Sequence, residues 1–551
     1  MTPSLRRRVT ASVVGIGVAA AAISAPAGAM SIDAAGDARA SESIGSIGSS
    51  GNTGSAGSTG STDAAADSAA HGGNAATDDA QAAAAGMMQA APATAGLTAP
   101  SAPQAPTRSY VVNVGTGDAI APARVRSVRA AITRAGGTVV QAWPQIGVFV
   151  VHSSHAGFDT RLTPSAATRI TGVGPTRTVP VTEKLRARST TAQAAAAPAA
   201  PSRTDRTTAE PREREQWALR MVRASAQGGR PAAAAVPART LGATTVAVID
   251  SGIEADHPDL RGRIDTASSL DCTDAGRPDT TPSRWRNTTS GHGTHVAGII
   301  AGARNGVGIA GVAPGVRLAS VKVVNDDGFI YPEYAICGVL SASAKGIRVA
   351  NHSYFVDPWQ FWCSTAKSQA AARESVRRAF AYAHRHGMLS IAAAGNEGVD
   401  LTKPGIDELS PGDSDPVSRR LNSTCLDLPT QLPGVVSVAA ADSRGRLAEY
   451  SNFGRGVIDV IAPGTDVLSS YPTKTWTRLS GTSMAAPHAS GVAALLAARN
   501  PTAGPDQLAA QLRRQARDMP CPRADRRCTG TAAANSFAGD GMVDASRAVA
   551  R

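Results

Sequence analysis

The second half of the chain predicts an α/β domain with a mostly parallel central sheet. Short apolar runs that are typical of buried parallel strands alternate there with longer helical stretches. The predicted strands lie at 245–249, 318–324, 348–350, 389–393 and 435–438, and the predicted helices at 295–303, 334–345, 366–386 and 484–499. The first of these strands ends in Asp250. Because open α/β sheets place their ligands at the carboxyl ends of their strands, we expect a functional site at that edge.

A smaller unit precedes this domain, with strand and helix patterns in the order βαββαβ. Its strands are expected at 110–114, on either side of 143–145 within 138–151, and at 170–173, and its helices at 122–135 and 162–168. We assign residues 107–183 to this unit and 216–551 to the large domain. The intervening residues 184–215 include a run made only of Ala and Pro at 194–201, which predicts a flexible, protease-accessible linker.

The N-terminal residues predict export. Three arginines at 6–8 precede an apolar run from Val9 to Ile23, and small residues follow at 27–29, which is typical of a secretory signal over residues 1–29. The alternative is an uncleaved anchor, but the run is shorter than the roughly 20 residues that span a bilayer. Residues 30–106 are rich in Ala, Gly and Ser and predict a disordered spacer.

The charge of the chain does not indicate a nucleic-acid partner. The 551 residues include 55 basic and 43 acidic side chains, a net charge of +12. This excess is not concentrated in a basic helix or in a stripe interleaved with aromatic residues. We therefore expect no nucleic-acid binding.

The cysteines favour disulfides. All six lie in the large domain, and an even number in an exported chain is typical of disulfide bonding. Cys521 and Cys528 are close enough in sequence to form one pair, although six cysteines allow 15 connectivities. No C-x-x-C pair or compact Cys/His cluster is present, which argues against zinc.

Three separate positions are candidates for nucleophilic catalysis. Asp250 ends a buried strand, His292 opens a helix between two glycines, and Ser483 stands at the start of an Ala-rich helix. Each has an ordinary explanation: a strand-end turn, a helix N-terminal residue, and a helix cap. Together they follow the order Asp, His, Ser, one of the orders in which a catalytic triad recurs on unrelated folds.

The sequence blocks around these residues resemble the subtilisin-like serine peptidases, or subtilases. The blocks are D-S-G-I-x-x-x-H-P-D-L from 250, H-G-T-H-V-A-G from 292, A-A-A-G-N-E-G from 392 and G-T-S-M-A-A-P-H from 481. The resemblance covers residues from about 216 to 548. Among the members of the family, the chain resembles secreted actinobacterial ones. It implies a three-layer αβα fold with a mostly parallel sheet, preceded by a ferredoxin-like inhibitory propeptide. The implied activity is that of a secreted serine endopeptidase that forms an acyl-enzyme.

The resemblance also assigns roles within the catalytic site. It implies Ser483 as nucleophile, His292 as general base and then acid, and Asp250 as the carboxylate that orients the imidazole. Asn396 matches the amide that donates to the oxyanion, and His295 is then structural.

In the family, substrate adds as an extended strand, which explains broad sequence tolerance. The residues that match its binding segments are Ser353, Tyr354, Phe355, Ala393, Ala394 and Gly395. Phe355 departs from the family, where Gly is usual, and an aromatic cluster follows it up to Cys363. That cluster either lines the rim of the pocket or forms a satellite core pinned by a disulfide.

The resemblance further implies a structural calcium ion, although the chemistry needs no cofactor. Asp259 matches a family ligand, and Gln216 is an additional candidate. Other oxygens that could complete a cage come from Asn305 and the carbonyls of Ala303, Val307 and Ile309. The alternative is an ordinary turn without metal, since Arg304 brings a positive charge to the same loop.

The expected partners are polypeptide substrates and the chain's own propeptide, which inhibits the peptidase until it is cut away in the linker. We expect the mature protein to be a monomer that does not contact a membrane. Two other functions stay open: a dedicated processing peptidase with one physiological substrate, and a catalytically silent binding protein on the same fold.

Overall fold

The computed structural model describes residues 105–162, 168–182, 185, 207–227, 229–286 and 290–550. These residues belong to one compact unit. The predicted signal sequence and the spacer up to residue 104 lie outside the described residues, as does most of the predicted linker. Among the described residues, no helix combines the length and the apolar character needed to cross a bilayer.

The small domain has the predicted order of elements. These are β1 (Arg108–Val114), α1 (Pro122–Arg134), β2 (Thr138–Trp143), β3 (Val148–Ser153), α2 (Phe158–Arg161) and β4 (Ile170–Pro175), with a 3-10 turn at Pro144–Ile146. The strands form an antiparallel sheet in the order β2-β3-β1-β4. The second helix begins earlier than predicted because Gly157, with a φ of +69°, turns the chain directly into it. Most of the range predicted for that helix, 163–167, lies outside the described residues.

The large domain contains nine described helices. They are α3 (Trp217–Met221), α4 (Ala238–Gly242), α5 (Pro282–Trp285), α6 (His292–Ala301), α7 (Pro332–Ala344), α8 (Lys367–Arg385), α9 (Thr482–Arg499), α10 (Pro505–Arg514) and α11 (Ala545–Val549). Short 3-10 turns lie at Glu213–Glu215 and Ala232–Ala235.

Its central sheet has eight strands in the order β16-β15-β11-β9-β5-β8-β6-β7, all parallel except for the last pair. Three further two-stranded sheets pair β10 with β14, β12 with β13 and β17 with β18. The strands are β5 (Thr245–Asp250), β6 (Leu270–Asp274), β7 (Arg277–Asp279), β8 (Arg317–Lys322), β9 (Val349–His352), β10 (Phe361–Cys363), β11 (Leu389–Ala393), β12 (Ile406–Asp407), β13 (Arg419–Arg420), β14 (Cys425–Asp427), β15 (Val435–Ala441), β16 (Val460–Pro463), β17 (Val467–Tyr471) and β18 (Thr475–Leu479).

Alternate residues of the sheet strands pack in two separate cores, one on each face of the sheet. The sheet therefore lies between two layers of helices, which gives three layers. Along β5, Val246 and Val248 pack in a core with α6 and α9, while Ala247 and Ile249 pack in a core with α7 and α8. This is the period-2 pattern of a strand buried on both faces. The predicted α/β class with a three-layer arrangement is confirmed.

The cysteines form three disulfides, including the predicted pair of Cys521 with Cys528. Cys272 of β6 is bonded to Cys337 of α7, and Cys363 of β10 is bonded to Cys425 of β14. No cysteine among the described residues is free.

The predicted linker extends too far toward the C-terminus. Residues 207–215 pack on the large domain, and Glu213 is fully buried against Arg304. Because a buried carboxylate needs such a partner, this segment is an integral part of the domain.

Candidate active site

The strand β5 and the helix α6 place a carboxylate against an imidazole. Asp250 ends β5 and His292 begins α6, and both side chains are buried. The distance from His292 Nδ1 to Asp250 Oδ1 is 2.8 Å. Since a carboxylate only accepts, Nδ1 carries the hydrogen, and Nε2 is left to exchange a proton. Gly293 allows this approach, because a Cβ there would lie 2.3 Å from the Gly252 carbonyl oxygen.

The first turn of α9 carries the third predicted residue. Ser483 is the second residue of that helix and is half-buried. Backbone N–H groups at a helix start have no intrahelical acceptor, so they favour negative charge at this point. The Ser483 hydroxyl donates to the Ser353 carbonyl at 3.2 Å, and the Ser353 hydroxyl donates to the Ser483 carbonyl at 2.9 Å. The Ser483 hydroxyl must therefore give up its hydrogen bond to the Ser353 carbonyl before His292 can take its proton.

Asn396 is held through its amide oxygen, and its amide nitrogen has no acceptor in the part of the chain that the structure describes. Its Oδ1 accepts hydrogen bonds from the Thr482 N–H (2.8 Å) and hydroxyl (2.9 Å). Since the amide is planar, these two bonds fix Nδ2 on the opposite side. The Thr482 hydroxyl also accepts from the Gly395 N–H at 3.1 Å. This positioning role of Thr482 was not predicted, although the residue lies within the same sequence block as Ser483.

His295 has the structural environment expected for it. Its Nε2 lies 3.0 Å from the Val467 carbonyl oxygen and 3.2 Å from that of Thr477. Burial lowers the pKa of His295 to about 3, so the ring stays neutral at ordinary pH.

The two predicted substrate segments run side by side. β9 and β11 are parallel neighbours, so the residues that follow them, from Ser353 and from Ala394, leave the same edge of the sheet. Ser353, Ala393 and Ala394 are buried, while Phe355 and Gly395 are partly exposed.

The Tyr354 side chain lies in the core. It is 5% exposed, and its hydroxyl lies 2.9 Å from His352 Nδ1. The phenol is therefore a core group, and only the backbone of this residue is available to a substrate.

The aromatic cluster matches the satellite-core interpretation. Trp362 is buried and donates from Nε1 to the Val356 carbonyl at 2.7 Å. The disulfide of Cys363 pins the strand that carries it to β14. Trp359 is partly exposed and stacks against Arg419, with the guanidinium 4.7 Å from the ring centroid. Trp362 and Cys363 therefore support the fold.

The carboxylate predicted to bind calcium has other partners. Asp259 Oδ2 accepts from Ser470 Oγ at 2.8 Å and from Trp476 Nε1 at 2.7 Å. Its Oδ1 is buried, and the Ile309 backbone N–H faces the carboxylate. Burial raises the pKa of Asp259 to about 7.

Two other predicted ligands, Asn305 and Gln216, also have partners in the protein. Asn305 Oδ1 accepts the Val307 N–H at 3.1 Å. The Gln216 side chain exchanges two hydrogen bonds with the Ala310 backbone, at 2.8 and 3.0 Å. The remaining expected ligands were the carbonyl oxygens of Ala303, Val307 and Ile309.

A buried guanidinium supplies the positive charge in this loop. Arg304 donates to both carboxylate oxygens of Glu213, at 2.5 and 2.9 Å, and to the Thr208 carbonyl at 2.9 Å. Backbone N–H groups of 305–307 face the carboxylate of Glu210, whose pKa is raised by burial. No cluster of three or more His, Cys, Asp or Glu side chains in the described part of the chain could hold a metal ion. The side-chain oxygens predicted to bind calcium are therefore engaged by donors of the protein, and the buried charge of Arg304 disfavours a cation in this loop.

Comparison with known proteins identifies the family. A family model described as the subtilase family, Peptidase S8, matches residues 242–541. Subtilisin DY of Bacillus licheniformis is 32% identical over 263 residues, 48% of this chain and 80% of that protein. Fervidolysin of Fervidobacterium pennivorans is 32% identical over 301 residues, which cover 50% of this chain but only 37% of that protein.

A solved structure shares the fold. The epidermin leader peptide processing serine protease of Staphylococcus aureus has a TM-score of 0.60 at 19% identity, covering 81% of this chain and 98% of that one. At this identity the likeness concerns the fold alone. The sequence matches, together with the Asp250–His292 pair and the position of Ser483, lead to one conclusion: the chain belongs to the subtilase family of serine peptidases.

Proposed function

We propose that the protein is the precursor of a secreted serine endopeptidase in which Ser483, His292 and Asp250 form the catalytic triad. The observation that carries this proposal is the buried 2.8 Å contact between His292 and Asp250 at the end of β5. Ser483 lies in the first turn of α9, a helix that shares a core with α6. A strand-end carboxylate with only a structural role would not need an imidazole as its partner.

The proposed chemistry follows from the positions of these groups. His292 Nε2 takes the proton of the Ser483 hydroxyl, and Oγ attacks the carbonyl carbon of the scissile peptide bond. The oxyanion accepts from Asn396 Nδ2 and from the Ser483 N–H, while Asp250 stabilises the imidazolium. His292 then gives its proton to the leaving amine, and water attacks the acyl-enzyme by the same route in reverse. No cofactor enters these steps.

Substrate is proposed to bind as an extended segment between the residues that follow β9 and β11. Backbone hydrogen bonds supply affinity in such a mode, and side-chain pockets select among sequences. Because the Tyr354 side chain is buried, Phe355 is the aromatic group on this edge with partial exposure.

The small domain is proposed to act as the inhibitory propeptide of this peptidase. It docks on α8, where Arg378 donates to the Gly115 carbonyl at 2.8 Å. Asn113 donates from Nδ2 to the Ala371 carbonyl and accepts from the Ser375 hydroxyl, both at 2.8 Å. Since 207–215 pack on the large domain, the cut that releases the small domain is placed within 184–206.

Export is proposed from the N-terminal signal pattern and agrees with the three disulfides, which persist in oxidising compartments. The mature enzyme is proposed to be extracellular and monomeric.

A phosphonofluoridate probe tests the nucleophile. It should label Ser483 in purified protein, and Ser483→Ala should abolish labelling. Ser480→Ala is the matched control, because that exposed serine lies three residues upstream and should leave labelling intact. A correctly folded protein that stays unlabelled would contradict the proposal and favour a silent binding protein.

Processing and substrate range are tested separately. The Ser483→Ala variant should accumulate with residues 107–183 attached, whereas normal processing would show that another protease matures the chain. Casein and a peptide panel distinguish a general enzyme from a dedicated one, since failure on casein with cleavage of a single sequence favours the dedicated processing peptidase.

A further inference from the structure

The large domain holds an arginine of the small domain in a pocket at the start of α7. Arg177 follows β4 in the segment that leads to the linker. Its guanidinium donates to Glu333 Oε1 at 2.8 Å and to the Tyr334 hydroxyl at 3.0 Å. It also lies over the Tyr331 ring, 3.8 Å from the centroid. The side chains of Arg177 and Glu333 are 3% and 0% exposed, so the charges meet away from water.

The carboxylate of Glu333 depends on the small domain for its partners. Oε1 accepts from Arg177 and from the Ser109 hydroxyl at 3.0 Å, and both donors belong to the small domain. Oε2 is buried and has no donor among the described residues. A buried carboxylate without a cation is strongly unfavourable. The pocket is therefore suited to a cation that arrives on another polypeptide segment.

The aromatic walls favour a guanidinium over an ammonium. Tyr331 and Tyr334 meet edge to face with centroids 5.6 Å apart, and Phe329 stacks on Tyr331 at 5.7 Å. A planar guanidinium can stack on such a ring and still donate in its own plane to a carboxylate, which an ammonium cannot do.

The next residue of the segment is held as well. The Thr178 N–H donates to Asp413 Oδ2 at 2.9 Å, and its hydroxyl bonds to the same carboxylate and to Ser414 Oγ. Two successive residues are thus bound by separate elements of the large domain, the start of α7 and the loop around 413. This arrangement recognises a short stretch of chain, because it contacts backbone as well as side chains.

We propose that Tyr331, Glu333 and Tyr334 form an arginine-binding site of the peptidase domain for an extended polypeptide segment. In the precursor, Arg177 occupies the site. The site becomes available when the small domain leaves, and it then binds an arginine carried by another chain, the released segment 174–182 included. This inference rests on the proposed function only for that release step.

A peptide-binding experiment tests the site in the processed enzyme. The probe is a fluorescent peptide with the sequence of residues 174–182, compared with the same peptide carrying citrulline or lysine in place of arginine. Since hydrogen bonds to charged groups are the stronger ones, we expect the arginine peptide to bind at least tenfold more tightly than the citrulline peptide, with lysine between them. Glu333→Gln should remove this preference. The control Asp327→Asn, which changes an exposed carboxylate on the preceding loop, should keep it. Equal binding of all three peptides would overturn the proposal.

A second measurement needs no catalysis or processing. In the Ser483→Ala precursor, Arg177→Ala should leave Glu333 without its cation and make the small domain more sensitive to trypsin. Millimolar methylguanidinium should restore resistance in this variant, but not in Arg177→Ala/Glu333→Gln. Absence of rescue would refute the site even if the peptidase is active. Rescue here, together with a wild-type protein that does not label with the phosphonofluoridate, would support the site and contradict the proposed activity.

Discussion

Replacing Arg304 by alanine should destabilise the large domain by about 3 kcal/mol. The guanidinium is buried and makes two hydrogen bonds to the Glu213 carboxylate and one to a backbone carbonyl. Removing one partner of a buried ion pair costs about 3–5 kcal/mol, because the other charge is left uncompensated. Glu213 keeps three donors, at Glu210, Ser225 and Ala226, so the lower end of that range applies.

Urea denaturation of the Ser483→Ala precursor, monitored by tryptophan fluorescence, measures this loss. The urea concentration at the midpoint should fall, while the m value, the slope of the unfolding free energy against urea, should stay constant. The inactive background prevents self-digestion. Arg214→Ala is the matched control: its side chain is exposed in the same segment, and such changes shift stability by less than about 0.5 kcal/mol.

The double variant Arg304→Met/Glu213→Leu separates lost charge compensation from lost packing. Because it removes both charges, it should recover most of the loss seen in Arg304→Ala. All midpoints should be the same in EDTA and in calcium chloride, since the ion pair occupies the loop. A loss below about 0.5 kcal/mol for Arg304→Ala, or a midpoint that rises with calcium, would refute this account of the loop.

Three further predictions concern single side chains. Asp259 has a pKa raised to about 7, so the folded state binds a proton more tightly than the unfolded state, and the free energy of unfolding should fall by up to about 4 kcal/mol between pH 4 and 7. Asp259→Asn should flatten that part of the stability profile, and an unchanged profile would contradict the assignment. Asn396→Ala should lower kcat by about 10²- to 10³-fold with little change in KM, the usual cost of losing one oxyanion donor, whereas a purely structural Asn396 would lower the melting temperature instead. Thr482→Val should lower kcat about fivefold through the lost hydrogen bond to Asn396, and Thr482→Ser, which keeps the hydroxyl, should restore it.

The parts of this protein that are local in sequence could be predicted from it. The strand β5 and the helix α9 follow from apolar runs, and the catalytic candidates lie in short blocks whose order carries the information. The Cys521–Cys528 pair was predictable for the same reason, since only a short loop has to close.

The parts that depend on distant partners could not be predicted. Glu213 looks like one more charge in a polar linker until Arg304, 91 positions later, is placed against it. The same arginine seemed only to disfavour calcium, because the sequence does not show which carboxylate it meets. Tyr354 was predicted as a substrate-binding residue from its position in a motif, and the burial of its side chain depends on packing that the motif does not show.

The interface between the two domains holds the small domain on α8 and can still separate. On α8, Ala371, Ser375 and Arg378 lie on the face that meets the small domain, while Val376 and Phe380 lie in the core of the large domain. The contact combines hydrogen bonds to backbone groups with apolar packing, because Val111, Ile146 and Val148 of the small domain lie in the same buried cluster as residues of α8.

A glycine makes the contact shallow at the point where β4 crosses α8. Gly174 of β4 lies over Ala371, where a Cβ at position 174 would stand 3.1 Å from the alanine methyl group, so the strand crosses the helix without an interlocking side chain. The buried charge pair at Glu333 differs from the rest of the interface because water replaces a guanidinium poorly at a buried carboxylate. Glu333 loses this cation when the domains part, which should lengthen the time for which the small domain stays bound after the chain is cut.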